Sequence, residues 1–445
     1  MKNMYCDHDG GVCSTEKAQR ISLKPGIFFT TVKEEKFKYN HLSFNFLLPL
    51  QKETASLYAL LPMVMRHGCK SYPNLTALNA RLSELYGAQL DWEISKRGDL
   101  QILTFYIEIL GDHFALENEE LLEEGAKLLR DLLFAPSLER EKFHAEDVEI
   151  EKHNLADIIR SQLNDKRVYA SKRLSEVMCE GEAYGLSEYG QLEDIEQISA
   201  ERLTEAWHDV LQHAHVEAFY VGSGDAESVC RLFTQAFDSV KREKLFDLKT
   251  EVLHAPTGAL KEVTDHLPVT QAKLGLGFRA GIALPDADTD AMQLACTVLG
   301  GSPHALLFLN VREKLSLCYY CFARYERYKG LVFIESGVEE VNAQKARKEI
   351  LRQLDALKAG NFTEDDLKFA VLSLRNAYKG INDSLGTIAG WYLAQALAGQ
   401  IRSPEDVAAS LDKLTKTDVV RAAKGIALDT IYLLAGEEGA ASNEI

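Results

Sequence analysis

Arg312 and Tyr319 stand seven residues apart in a stretch that reads LGGSPHALLFLNVREKLSLCYY from Leu299 to Tyr320. The pair Gly300–Gly301 permits a tight helix entry. The apolar-periodic helix that follows carries Arg312, and a strand begins near Tyr319. A guanidinium and a phenol that converge on one point can stabilise the oxyanion of peptide hydrolysis. Taken alone, an arginine ahead of Glu313 and Lys314 also fits an ordinary solvated helix surface.

Other reactive patterns are weaker. Cys318-x-x-Cys321 has redox spacing, but it lies in an apolar run, LCYYCFARY, that reads as a strand. Side chains three apart on a strand point to opposite faces, so both read as ordinary strand residues. Cys6 and Cys13 flank His8 in a Gly/Asp-rich stretch; a metal site there needs more ligands, and a tail is the plainer reading. Glu205-x-x-His208, with His213 and His215 after it, is one copy of a pattern that di-iron sites repeat on facing helices. His67 reads as structural. The chain has no HExxH, no Walker A, no G-x-G-x-x-G and no G-x-S-x-G, so serine-nucleophile and nucleotide chemistry have no support.

The elements that would position these residues are written twice. From Leu61 the chain runs helix, glycine, helix, strand, turn, strand, and from Leu294 it does so again. Leu82 and Tyr86 fall 233 residues before Leu315 and Tyr319, and Gly98 falls 232 before Gly330. An amphipathic helix and a second long helix follow in both halves, with Asn164-Asp165 matching Asn382-Asp383. Each half opens with strands and closes with a helix and a strand. Hairpins and helices in runs predict an α+β chain: two homologous rolls, each an antiparallel sheet with helices on one face. The expected division is an extension over 1–20, an N-terminal domain over 21–240, a linker over 241–258 around Ala255-Pro256-Thr257-Gly258, and a C-terminal domain over 259–445.

Length and composition agree. The 445 residues are many for one core, and 46% hydrophobic with 9% aromatic residues suits well-filled interiors. A net charge of −17 leaves no excess of Lys and Arg to neutralise phosphates, so nucleic acid is not expected as a partner. No apolar run approaches a spanning length, and MKNMYCDHDGG lacks the apolar segment of a secretory signal. No membrane partner and a cytoplasmic location are therefore expected. The eight scattered cysteines suit reduced thiols.

ALLPMVMRHGCKSYP, LSELYGAQLDWEISKRGD and GGSPHALLFLNVREKLSLCYY together resemble the pitrilysin/insulinase-type (inverzincin) zinc metallopeptidases over about Ile21 to Gly436. The likeness is nearest to the metal-motif-lacking subunit of paired bacterial peptidases. Some of that group are labelled elongation-factor-P 5-aminopentanol modification-associated proteins, and others process leader peptides. The resemblance implies a clam-shell arrangement, with Arg312 and Tyr319 as the catalytic pair that binds the substrate carbonyl beside a zinc. Gly300, Gly301 and His304 would border the substrate, although His304 and Ala305 stand where many relatives carry serine and arginine. The zinc motif, H-x-x-E-H, falls on Ala59-Leu60-Leu61-Pro62-Met63. Ala59 and Met63 have no lone pair suited to the metal, Pro62 cannot act as a base, and a helix could begin or kink there. Glu151, with Glu149 as an alternative, would be the remnant of the third ligand. The implied function is that of a non-zinc-binding subunit of a heterodimeric zinc peptidase, with no cofactor of its own, zinc in a homologous partner and a peptide as substrate. A purely structural assembly subunit is the alternative.

Overall fold

The computed structural model describes residues 17–437 and the backbone of 13 and 14. The side chains of Cys6, His8 and Cys13 lie outside the described residues. Seven strands form the first sheet: β1 (Cys13–Ser14), β2 (Ala18–Lys24), β3 (Ile27–Lys33), β4 (Tyr39–Pro49), β5 (Gln89–Arg97), β6 (Leu100–Leu110) and β7 (His215–Gly222). Five form the second: β8 (Lys261–His266), β9 (Ala272–Arg279), β10 (Cys318–Glu326), β11 (Leu331–Val338) and β12 (Ala427–Ala435). From β3 the first sheet runs β3-β7-β4-β6-β5, and from β8 the second runs β8-β12-β9-β11-β10, so the order is the same strand for strand. In each sheet one pair is parallel, β3 with β7 and β8 with β12, within otherwise antiparallel ladders. β2 pairs with β3 from Ala18 onward, so the ordered fold begins ahead of the boundary expected at residue 21. No strand or helix occupies the expected linker, between the helix Ala226–Ala236 and β8.

Strand alternation divides each sheet into two apolar faces. Phe44, Phe46, Phe105 and Ile107 of the first sheet join one large core with the helices Lys52–Met65, Leu121–Phe134 and Ala200–His213. Leu276, Phe278, Val332 and Ile334 of the second sheet do the same with the helices Thr289–Gly300 and Ala343–Lys358. The other face of each sheet is covered from the opposite half. Helix Leu385–Leu397 lays Ile388, Tyr392 and Leu393 on Leu47, Ile102, Phe219 and Val221. Helix Lys166–Met178 lays Ala170, Leu174 and Met178 on Leu331, Phe333, Tyr432 and Leu434. Each half's own core helices thus lie on one face of its sheet, and a helix crossing from the opposite half covers the other. Gly275 and Gly277 of β9 make the close approach possible: a Cβ at these positions would lie 2.8 Å from Leu174 Cδ2 and 2.5 Å from Met178 Sδ.

Charges are buried where the halves meet. Lys329 Nζ is inaccessible to solvent and lies 3.0 Å from Asp99 Oδ2 and 3.2 Å from Glu182 Oε2. Arg279 Nη2 donates to Glu182 Oε1 at 2.6 Å, and its Nε donates to Asp429 Oδ2 at 3.0 Å. Asp99 and Lys329 sit at the tips of the β5–β6 and β10–β11 hairpins, and Glu182 follows the crossing helix Lys166–Met178. Opposite charges on different segments thus meet where water is excluded, and each compensates the desolvation of the other.

Candidate functional site

The helix Thr289–Gly300 ends against β10. A Cβ on Gly300 would meet Ala323 N at 2.5 Å, and one on Gly301 would meet Thr297 Cα at 2.7 Å. The two glycines therefore close one helix tightly rather than open the next. The chain then enters a π-helical stretch, Phe308–Lys314, an uncommon wide turn that is frequent at functional sites. Ser316, at φ 49°, turns the backbone into β10. A register shift between Cys318 and Tyr320 leaves Tyr319 as the extra residue of a β-bulge.

These local irregularities bring Arg312 and Tyr319 to one surface pocket of about 370 Å³, with Ser316, Cys318 and Glu339 also on its wall. The Arg312 side chain is 42% exposed and Tyr319 61%. The guanidinium of Arg312 lies 4.6 Å over the Phe308 ring, and its Nε is 3.6 Å from Glu313 Oε1. Both polar ends remain accessible to a ligand. The pocket adjoins β10, one of the two outermost strands of its sheet.

The bulge also changes the cysteine pair. Cys318 pairs with Val338 and Cys321 with Ser336, two residues apart on β11, so both side chains enter the same core face. The expectation that they point apart fails because the extra residue resets the alternation. The neighbouring Cys321 thiol, with help from Ser336 and Arg312, lowers the Cys318 thiol against the opposing effect of burial, while Cys321 itself is raised.

The position corresponding to the metal motif is apolar. Helix Lys52–Met65 runs unbroken through Pro62, beginning ten residues earlier, so Pro62 neither starts nor ends it. Ala59, Pro62 and Met63 are buried in its packed face. Beyond its end, His67 Nε2 lies 2.6 Å from Glu151 Oε1 and His67 Nδ1 lies 3.0 Å from Asp147 Oδ1. Glu151 is therefore engaged rather than solvated, while Glu149 is exposed and pairs with Lys152. A carboxylate within 3.0 Å of each ring nitrogen favours the protonated ring, which donates from both. The Glu151 hydrogen bond accordingly raises the His67 pKa, with the charges of Asp147 and Glu151 adding to it against burial. The residues present do not fit zinc: Ala59 and Met63 supply no imidazole, and both His67 nitrogens are occupied. Among the described residues no group of three or more His, Cys, Asp or Glu side chains is placed to hold a metal ion.

The remaining candidates lie apart. Gly300, Gly301 and His304 do not line the Arg312–Tyr319 pocket; His304 stacks on Phe369 at 4.3 Å. His213 and His215 bond to the backbone carbonyls of Lys244 and Phe246. Sequence reasoning passed over the His67–Glu151 contact. Its faint signal was Met63 and His67 spaced one helical turn apart near a candidate ligand helix.

Comparison with known proteins places this arrangement. The model described as the Peptidase M16 inactive domain matches residues 197–374. A probable inactive metalloprotease, YmfF, of Bacillus subtilis (strain 168) is 36% identical over 419 residues, covering 93% of this chain and 97% of the relative. The crystal structure of a conserved protein from Enterococcus faecalis V583 superposes with a TM-score of 0.87 at 26% identity, covering 95% of this chain and 99% of that one. A protease from Helicobacter pylori shares the fold, with a TM-score of 0.79 at 16% identity, covering 94% and 99%. No helix among the described residues is long and apolar enough to cross a membrane. Near-complete coverage of an inactive relative agrees with a chain whose metal position holds alanine, proline and methionine, and the chain belongs to the M16, pitrilysin/insulinase-type peptidase family as an inactive member.

Proposed function

We propose that this chain is the non-zinc-binding subunit of a heterodimeric, cytoplasmic zinc peptidase. It supplies Arg312 and Tyr319 to a site whose metal is held by a homologous partner, and the substrate is a peptide, with leader peptides as one class. The observation that carries this reading is an asymmetry within one chain. The metal position is filled by Ala59, Pro62 and Met63, whereas Arg312 and Tyr319 share an accessible pocket beside an outermost strand. A peptide added along β10 would use the unpaired backbone groups of that edge and bring a carbonyl toward Arg312 and Tyr319. The guanidinium and the phenol O–H would donate to the oxygen as negative charge develops on it. Gly300 and Gly301 serve that pocket indirectly, by seating the helix end against β10; His304 would meet a longer substrate farther along. Exposed Leu315 and Val341, next in sequence to pocket residues, are apolar surface suited to a partner.

The test is co-expression with a homologue that carries H-x-x-E-H, followed by size-exclusion chromatography and a peptide turnover assay. A stable mixed complex that cleaves, when neither chain does alone, supports the reading. A complex whose turnover is indifferent to Arg312 and Tyr319 leaves this chain as a purely structural subunit.

A further inference from the structure

The bulge at Tyr319 does more than aim a phenol. It places two thiols on one core face, opposite Val338 and Ser336 of β11, at the edge of a solvent-open pocket. Cys318 is 9% exposed and reaches that pocket's wall; Cys321 is 4% exposed and lies behind it. We propose that Cys318 and Cys321 form a peroxide-oxidisable dithiol that closes to an intramolecular disulfide beside Arg312 and Tyr319.

The chemistry follows from the placement. The Cys318 thiolate attacks one oxygen of hydrogen peroxide; the O–O bond breaks, a sulfenic acid forms, and hydroxide leaves and takes up a proton as water. The Cys321 sulfur then attacks the Cys318 sulfur. The S–O bond breaks, the S–S bond forms, and a second water leaves with the Cys321 proton. Two thiols are oxidised and one peroxide is reduced to two waters.

Two features separate this pair from the other thiols. Cys318 is the outer sulfur, and its thiol is lowered because Cys321, Ser336 and the Arg312 guanidinium favour the thiolate. The Cys179 and Cys296 thiols are pushed up to about 12, and Cys69 and Cys230 are also raised, in every case chiefly by burial. Low thiolate pKa, access and an adjacent resolving thiol are the features of redox-sensitive cysteines. Closure would draw together the two ends of the bulge, so the backbone at Tyr319 would shift with the redox state. This inference does not depend on peptidase activity.

The full chain, fully reduced, is exposed to hydrogen peroxide, quenched with N-ethylmaleimide, digested and mapped by mass spectrometry. The expected product is a Cys318–Cys321 disulfide, formed about tenfold faster than Cys230 is modified. Cys321→Ser should stop at a sulfenic acid on Cys318 that dimedone traps, while Cys318→Ser should leave Cys321 unmodified. If Cys318 and Cys321 remain alkylatable while Cys230 oxidises, or if Cys321 reacts as fast in Cys318→Ser as in the wild type, the inference is overturned. The wild-type map decides the matter even where a variant fails to fold.

Discussion

His67 Nε2 lies 2.6 Å from Glu151 Oε1, and this contact sits beyond the end of the helix that a metal would have needed. The group facing the glutamate is an imidazole whose protonated form the two carboxylates favour, so the cation here belongs to the chain and titrates, which a metal ion does not.

The first prediction follows from that titration. The folded-state pKa of His67 is raised. Its contribution is therefore complete below the unfolded value of about 6.5 and is lost as pH rises through the higher folded value. His67→Gln should cost about 1.5–3 kcal/mol at pH 6, the range for hydrogen bonds to charged groups. Urea denaturation of wild type and variant across pH 6 to 9 should show the difference shrinking with pH. A difference that is constant or grows with pH contradicts the imidazolium.

The second concerns metal. Purified chain should hold far less than stoichiometric zinc after dialysis at neutral pH, and Glu151→Gln should not change the amount. Elemental analysis checks it. One tightly held zinc per chain that disappears in Glu151→Gln would mean that these residues rearrange into a metal site.

The third concerns the junction of the halves. Removing the Lys329 ammonium leaves Asp99 buried without its cation and Glu182 with Arg279 alone. Lys329→Met should destabilise by about 3–5 kcal/mol, the usual result of breaking one side of a buried pair. Gly275→Val should also destabilise, by about 1–3 kcal/mol or more, because its side chain would enter Leu174. Chemical denaturation measures both. Wild-type midpoints would mean that the halves do not rely on this contact.

Much of the fold was legible in the sequence. The order of elements was readable because helical period and hairpin glycines are local signals, but the 233-residue offset does not hold residue for residue: Tyr86, at φ 58°, sits in the turn ahead of β5, whereas Tyr319 lies inside β10. The identical strand order then follows from repeating the module. Two things were out of reach. Periodicity shows that Lys166–Met178 has an apolar face, but not that its partner is the sheet of the other half. Gly275 and Gly277 mark that approach only once Leu174 is seen above them. At the site, the Arg312–Tyr319 spacing was visible, yet the bulge was not, because one extra residue in a strand carries no compositional mark. That residue turned Cys318 and Cys321 from opposite faces to one. His67 and Glu151 are separated by 84 positions, too far for any local pattern to join them.

The central claim is that Arg312 and Tyr319 act on a substrate held against a partner's metal site. The most direct measurement is peptide turnover by the reconstituted pair, with assembly checked in parallel by size-exclusion chromatography. Removing one oxyanion donor typically costs about 10²–10³ in turnover. Arg312→Ala and Tyr319→Phe should each fall by about that factor with the complex intact. Arg312→Lys should recover only part of the loss, because an ammonium does not reproduce the planar fork. An intact Arg312→Ala complex that turns over at the wild-type rate would contradict the account.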